Sequence, residues 1–149
     1  MAKKTNNLLN HPAFAALRLG EQVFEAQEFT PKSENSAVGT DHGITLKLYG
    51  RKSDAFKKAY PAHQAAMVKA EDLENNGNED EATKLRAEAS IAVVAACCVG
   101  WSSEKADLGE LDKDILIELM NHPETDYIAT QSFMFIYDLD GKNFFPKQN

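Results

Sequence analysis

The sequence has little cysteine and no long apolar run, we expect no secretion signal, and these features argue against several classes of protein. Its two cysteines, Cys97 and Cys98, are adjacent, a spacing at which a disulfide would be strained, so we expect a reducing compartment. The longest apolar run, residues 91–99, is nine residues long, whereas a membrane-spanning helix needs about 20. Residues 1–7 do not resemble a signal peptide. The sequence therefore predicts a cytosolic protein with no membrane partner.

Basic residues are also scarce and scattered. The chain has 16 lysines and arginines against 23 aspartates and glutamates, a net charge of −7 and a pI of about 5.1. The basic side chains occur in pairs, as at residues 51–52 and 57–58, and not in the longer runs that mark a nucleic-acid-binding patch. Because an acidic protein repels phosphate backbones, we expect no nucleic acid partner.

The usual sequence signs of catalysis are missing as well. None of the histidines has a cysteine, carboxylate or second histidine at a metal-ligand spacing; they are His11, His42, His63 and His122. No glycine-rich phosphate loop, Gly-x-Ser-x-Gly turn or His-Glu-x-x-His helix is present. His63 shares a helical stripe with Phe56, Tyr60 and Met67, which favours a boundary or core histidine. We expect a binding protein without catalytic residues, metal or cofactor.

The apolar content is sufficient for one folded domain spanning residues 1–149. A chain of 149 residues of which 43% are hydrophobic can bury about two thirds of its unfolded surface around a single core. Residues 1–18 are expected to be poorly ordered. The segments 22–29 and 44–49 predict two strands. With a mobile loop at 30–43 between them, they form an antiparallel β ribbon within residues 22–50.

After the ribbon, apolar residues recur at helical spacing, which predicts a helical bundle over residues 53–139. The first helix begins at Ser53 or Asp54, either of which can cap it. Pro61 removes a backbone donor, so a kink or a restart is expected there and the main helical segment runs over 61–74.

The second helix is predicted to be the central element of the bundle. Asp80 can cap it after a turn at residues 75–78, and Gly100 can end it in a left-handed conformation. Because the helix becomes apolar on all sides towards its end, burial is expected there on every side. Its apolar stripe consists of Ala82, Leu85, Ala89, Ala92, Ala96 and Val99.

A polar connection over residues 102–110 leads to the third predicted helix. Asp112 suits its cap position, where Leu111 can close an apolar staple against Leu116. Ile115, Leu116 and Leu119 are predicted to form its buried face. The fold class is thus α+β, mainly α: an N-terminal two-stranded β ribbon followed by a bundle of about four helices.

The fourth helix is predicted from Pro123 to Asp138, with a tail at residues 140–149. A β hairpin is the alternative, because residues 133–137 are strand-like and residues 140–141 read Asp-Gly, a hairpin turn signal.

Aromatic and apolar residues are concentrated in the last third of the chain. If residues 133–137 are helical, their apolar side chains surround most of the helix, which predicts a partner-binding surface. The alternative is that the core and the tail cover all of them. The candidate partner-binding residues are Trp101, Tyr127, Phe133, Phe135, Ile136, Tyr137, Phe144 and Phe145.

Several segments resemble the tail assembly chaperones of long-tailed bacterial viruses of the siphophage type. Residues 93–101, Val-Val-Ala-Ala-Cys-Cys-Val-Gly-Trp, are similar to the apolar helix that closes on Gly-Trp in that family. Three further segments are similar to that family. They are the helix end near a proline at residues 118–123, the Asn-Phe pair at 143–144, and the strand-to-helix junction at 48–54. The chain departs from the family in the Ser-, Glu- and Lys-rich connection after Trp101, and in an Asp-Gly insertion before Asn-Phe.

This resemblance implies a protein of the host cytoplasm that is left out of the finished virion. It would bind the tape measure protein, and it would also contact the tail tube protein. Several copies would be needed to cover a client as long as the tape measure protein. In many family members ribosomal frameshifting also produces a longer form. The alternative is a structural virion protein, such as a tail terminator or connector, that forms rings by strand-edge pairing.

Overall fold

The chain forms four helices and a small antiparallel sheet in the part that the structure describes. A computed structural model describes residues 26–32 and 43–137. The predicted fold class, mainly helical with N-terminal strands, is confirmed. In chain order the elements are β1 (Gln27–Phe29), β2 (Ile44–Leu48), α1 (Asp54–Asn75), α2 (Glu79–Cys97), β3 (Cys98–Ser103), α3 (Lys113–Asn121) and α4 (Tyr127–Ile136).

Some sequence predictions lie outside the described residues. These are the segment 1–18, the start of the first strand, most of the loop 30–43, and the tail 140–149 with Phe144 and Phe145. The described part of the first strand is extended and pairs with β2.

A third strand, β3, occupies the predicted end of the second helix. α2 ends at Cys97, and Gly100 lies opposite Lys47 in the sheet, so the left-handed stop predicted at Gly100 is wrong. The strand order is β1-β2-β3 with antiparallel pairing throughout, and Val99 is the extra residue of a bulge. Periodicity could not identify β3, because a short apolar run fits a buried helix as well as a strand. The predicted two-stranded ribbon is therefore a three-stranded sheet.

The sheet packs one face on the helices. Leu46 and Leu48 of β2 and Cys98 of β3 are fully buried. Lys47 and Ser102 alternate with them and are exposed. This alternation is typical of an antiparallel sheet with one face on the core.

α1 is one continuous helix of 22 residues. The Ser53 hydroxyl caps it, accepting from Phe56 N at 3.2 Å and donating to the carbonyl of Gly50 at 2.7 Å. The predicted restart at Pro61 is wrong, because the helix continues through that residue. Pro61 lies on the exposed side of the helix, as does Lys57 one turn earlier.

α2 packs against α1, α3 and α4, as expected of the central helix. It begins at Glu79, so Asp80 lies in its first turn instead of capping it. Before Ile91 it buries only Ala82 and Ala89, whereas most of residues 91–97 are buried. Ala92 is exposed, so the predicted burial on every side is wrong there. The buried residues within 91–97 are Ile91, Val93, Val94, Ala95 and Cys97.

α3 begins as predicted but buries a different face. The Asp112 carboxylate accepts hydrogen bonds from the backbone N of Asp114 at 3.0 Å and of Ile115 at 3.3 Å. Leu116 and Met120 are buried, whereas Ile115 is 52% exposed, so its predicted burial is wrong. The side of the helix with Leu116 and Met120 faces the core, so Ile115 lies on the side that faces solvent.

α4 is shorter than predicted. It begins at Tyr127 instead of Pro123, after a turn in which the Thr125 hydroxyl donates to the carbonyl of Leu119 at 2.5 Å. Residues 133–136 are helical, so the strand-like alternative is wrong for this segment.

Candidate protein-binding surface on the fourth helix

One side of α4 belongs to the core. Ile128, Ala129, Ser132 and Ile136 are buried, and α4 packs on α2. Ile136 is 0% exposed, and its carbonyl accepts a hydrogen bond from the backbone N of Arg51 at 3.1 Å. The prediction that Ile136 meets a partner is therefore wrong, because the helix phase turns this side chain inwards.

The second side of α4 is joined to the chain around β1. The rings of Phe135 and Phe29 stack with centroids 4.5 Å apart. The Gln131 amide accepts from the backbone N of Lys32 at 2.8 Å and donates to the Lys32 carbonyl at 2.5 Å. Phe135 is thus a half-buried residue that joins two elements.

The third side of α4 meets α1 through four aromatic rings in mutual contact, three of the contacts stacked and one tilted. They are here called the four-ring cluster: Tyr60, His63, Phe133 and Tyr137. Neighbouring centroids are 5.4 Å apart for Tyr60–His63, 4.9 Å for His63–Phe133, and 5.9 Å for both Phe133–Tyr137 and Tyr60–Tyr137. Arg51 lies over the Tyr137 ring with its guanidinium carbon 5.7 Å from the centroid. All four residues of the cluster are half-buried. Such contacts add to the burial of apolar area.

His63 is therefore a boundary histidine, as its stripe predicts. Its Nδ1 is buried and has no hydrogen-bond partner. Burial lowers the pKa of His63, because the charged imidazolium would lose its hydration between the two rings.

We expect the protein to lose stability as the pH falls below about 6.5, and His63→Phe to reduce that loss. Because the folded pKa of His63 is lowered, the unfolded chain binds the proton more readily. The stability contributed by neutral His63 is complete above the unfolded pKa and declines as the pH falls towards the folded pKa. Urea midpoints of both chains at about pH 8 and about pH 5 test this. If the urea midpoint fell by the same amount between about pH 8 and about pH 5 in both chains, the prediction would be contradicted.

The remaining side, here called the outer face of α4, consists of Tyr127, Thr130 and Met134. Their spacing of three and four residues places them on one helix face. Met134 is 67% exposed, the largest value among the exposed large apolar residues of the described chain, and Tyr127 is half-buried. Phe133 and Phe135 flank it. The sequence prediction did not include Met134 among the partner-binding residues. Residues two positions apart along a helix point to nearly opposite sides, so Met134 could have been predicted to be exposed once Ile136 was known to be buried.

Trp101 lies on a different element, β3, opposite Leu46. It is half-buried, and its indole Nε1 donates to the carbonyl of Gly109 at 3.1 Å. Residues 101–109 line a shallow, open cavity of about 520 Å³. Trp101 thus holds the connection after β3 against the sheet.

The thiols of Cys97 and Cys98 are both buried. Burial raises the pKa of the Cys97 thiol to about 12, which disfavours the nucleophilic thiolate. Within residues 26–32 and 43–137, no group of three or more His, Cys, Asp or Glu could hold a metal ion. No helix in the same ranges has the length and apolar character needed to cross a membrane.

The outer face of α4 combines an exposed methionine with a half-buried tyrosine, and half-buried phenylalanine rings flank it. Such a surface suits contact with another protein, because methionine adapts to irregular apolar partners and aromatic rings bury large areas. Its flanks are fixed by the contacts to Phe29 and His63. No protein-family model, curated protein or solved structure matches this chain.

Proposed function

We propose that this chain is a tail assembly chaperone that binds the tape measure protein during the assembly of a phage tail. It acts in the host cytoplasm and is left out of the finished virion. The sequence resemblance over residues 44–145 supports this proposal, although its Gly-Trp pair lies in β3 and not at a helix end. Contact with the tail tube protein is part of the same proposal.

The observation that carries the proposal is the exposed outer face of α4. Met134 projects from a helix whose opposite side is fixed in the core by Ile128 and Ile136. A rigid helix that presents methionine between aromatic flanks can receive the apolar face of a client helix. The resemblance implies such a client, because the tape measure protein of this family is expected to be long, helical and prone to aggregate when unprotected.

The charge of the chain supports a role in solubility. A net charge of −7 keeps a complex dispersed while its apolar surfaces are occupied, because like-charged particles repel. Exposed apolar residues on an acidic body are what a chaperone of this kind requires.

The test is co-expression of the chain with the tape measure protein of the same virus, followed by measurement of soluble client. The native chain should keep the client soluble and co-purify with it. Met134→Glu places a charge in the middle of the outer face of α4. It should raise the dissociation constant at least about tenfold, which corresponds to about 1.4 kcal/mol, and so lower the amount of complex recovered.

Ile115→Glu is the matched control, because Ile115 is also a large exposed apolar residue, 52% exposed, but lies on α3. It should leave the complex unchanged. An unchanged complex with folded Met134→Glu would exclude the outer face of α4 as the binding surface. Failure of the native chain to associate with the client would overturn the chaperone proposal.

A structural virion protein that forms rings is the second candidate, and the sheet is the observation that favours it. β1 and β3 are the two edge strands of the described sheet, and an edge strand can pair with another chain. Purified virions distinguish the two candidates, since a chaperone should be missing from them and a terminator or connector should be present.

A further inference from the structure

The side of α1 that faces away from α2 is exposed along most of its length. Five exposed residues follow one another at intervals of three and four: Lys58, Pro61, Ala65, Val68 and Asp72. This spacing places them on one stripe, here called the outer face of α1, with the pattern found at two-helix seams. Val68 is 62% exposed. The stripe is thus apolar in its middle and oppositely charged at its two ends.

The charge reversal extends beyond the stripe. Residues 51–58 contain four basic side chains and one acidic, whereas residues 69–81 contain one basic and six acidic. The acidic part includes the end of α1, the turn to α2 and the first turn of α2. The two ends of α1 therefore carry opposite charge.

The arrangement at the end of α1 does not favour the helix by itself. The C-terminal end of a helix carries partial negative charge, so carboxylates are disfavoured there and basic residues favoured. The last turn of α1 contains no basic residue, and it contains Asp72 and Glu74. Arg86 of α2 pairs with Glu74, while Asp72 lies on the exposed side. An intramolecular role in helix stability does not explain Asp72.

We propose that the outer face of α1 binds the same face of a second copy of this chain, with the two helices antiparallel. Lys58 and Asp72 each lie seven residues from Ala65, which is about 10 Å along a helix. A two-fold axis near Ala65 therefore places each Lys58 beside Asp72 of the other copy and brings Val68 near Pro61 of the other copy. The charge pattern is complementary to itself when the helices run in opposite directions, as an isologous interface requires.

The two charges cannot satisfy each other within one chain. Fourteen residues separate them, a distance of about 21 Å along α1, which exceeds the reach of an ion pair. A pairing between Lys58 and Asp72 is therefore a property of two copies. This inference does not depend on what the chain binds through α4.

Charge exchange tests the proposal, with the dissociation constant of the dimer measured by sedimentation equilibrium at low ionic strength. Lys58→Glu alone, and Asp72→Lys alone, should each weaken the dimer at least about tenfold, because by symmetry each change creates two like-charge contacts. The double variant should restore it. A mixture of the two single variants should form a heterodimer, since each copy then supplies the charge that the other lacks.

Folding controls accompany the exchange. Asp72→Lys adds a basic residue to the last turn of α1, which favours the helix, so unfolding is not the expected cause of its loss of dimer, and circular dichroism checks this. Val68→Glu should also abolish the dimer, whereas Met134→Glu, on α4, should leave it intact.

Two results would overturn the proposal. One is a native chain that stays monomeric at low ionic strength, which would mean that other residues of the same chain or another protein cover the face. The other is a dimer that all three charge variants leave unchanged. A dimer without client binding, or client binding without a dimer, would separate this inference from the chaperone proposal.

Discussion

Replacing Ile136 with serine is expected to lower the free energy of unfolding by about 3–5 kcal/mol. Ile136 is 0% exposed in the core, and its backbone carbonyl joins α4 to Arg51 before α1. The substitution removes most of a buried aliphatic side chain and leaves a hydroxyl in its place. The cavity and the unsatisfied polar group both act against the folded state. Urea denaturation followed by circular dichroism measures the effect.

Met134→Ser is the matched control for Ile136→Ser. Met134 lies two residues before Ile136 on the same helix and is 67% exposed. The free energy of unfolding of the Met134→Ser variant should therefore change by no more than about 0.5 kcal/mol. Equal losses in the two variants would contradict the assigned phase of α4. Ile136 is unsuitable for testing client binding, because substitution of this buried residue would disturb the fold.

Leu46→Ala is expected to cost about 3 kcal/mol of stability. Leu46 is 0% exposed and lies in β2, the middle strand, opposite Phe29 of β1 and Trp101 of β3. A cavity at this position loosens both neighbouring strands and the contacts of the sheet with the helices. The packed neighbours cannot move far enough to fill it, because the hydrogen bonds of two strand pairs hold them.

Lys47→Thr is the control for Leu46→Ala, because Lys47 is the next residue of the same strand and is exposed. Threonine suits a strand, so the change should stay within about 0.5 kcal/mol. Urea midpoints of the two variants make the comparison. A loss of less than about 1 kcal/mol for Leu46→Ala would mean that the central strand contributes little to the core.

Local chemistry explains why several helix boundaries could be predicted. Ser53 and Asp112 cap the helices that the sequence assigns to them, because a cap depends on a side-chain oxygen and backbone donors two or three residues away. The turn before α2 follows from Gly77, whose φ of 84° favours glycine. Each of these signals lies within one turn of the feature it fixes.

The candidate surface was only partly predictable. The aromatic residues of the last third could be named, but their division between core and surface depends on the phase of α4. Packing on α2 sets that phase, and it makes Ile136 a core residue and Met134 an exposed one. The pairing of Phe133 with His63 joins residues distant in sequence, so no local pattern could reveal it.

By itself the sequence determined the mainly helical class, two of the helix caps and the strand character of residues 44–48, because these depend on neighbours along the chain. Only the tertiary structure decided that residues 98–103 form a strand and which side of α4 is exposed. β3 exists because β2 offers backbone partners to a segment that could equally have extended a helix. Where local chemistry leaves two conformations of a segment nearly equal in free energy, contacts with distant segments stabilise one of them.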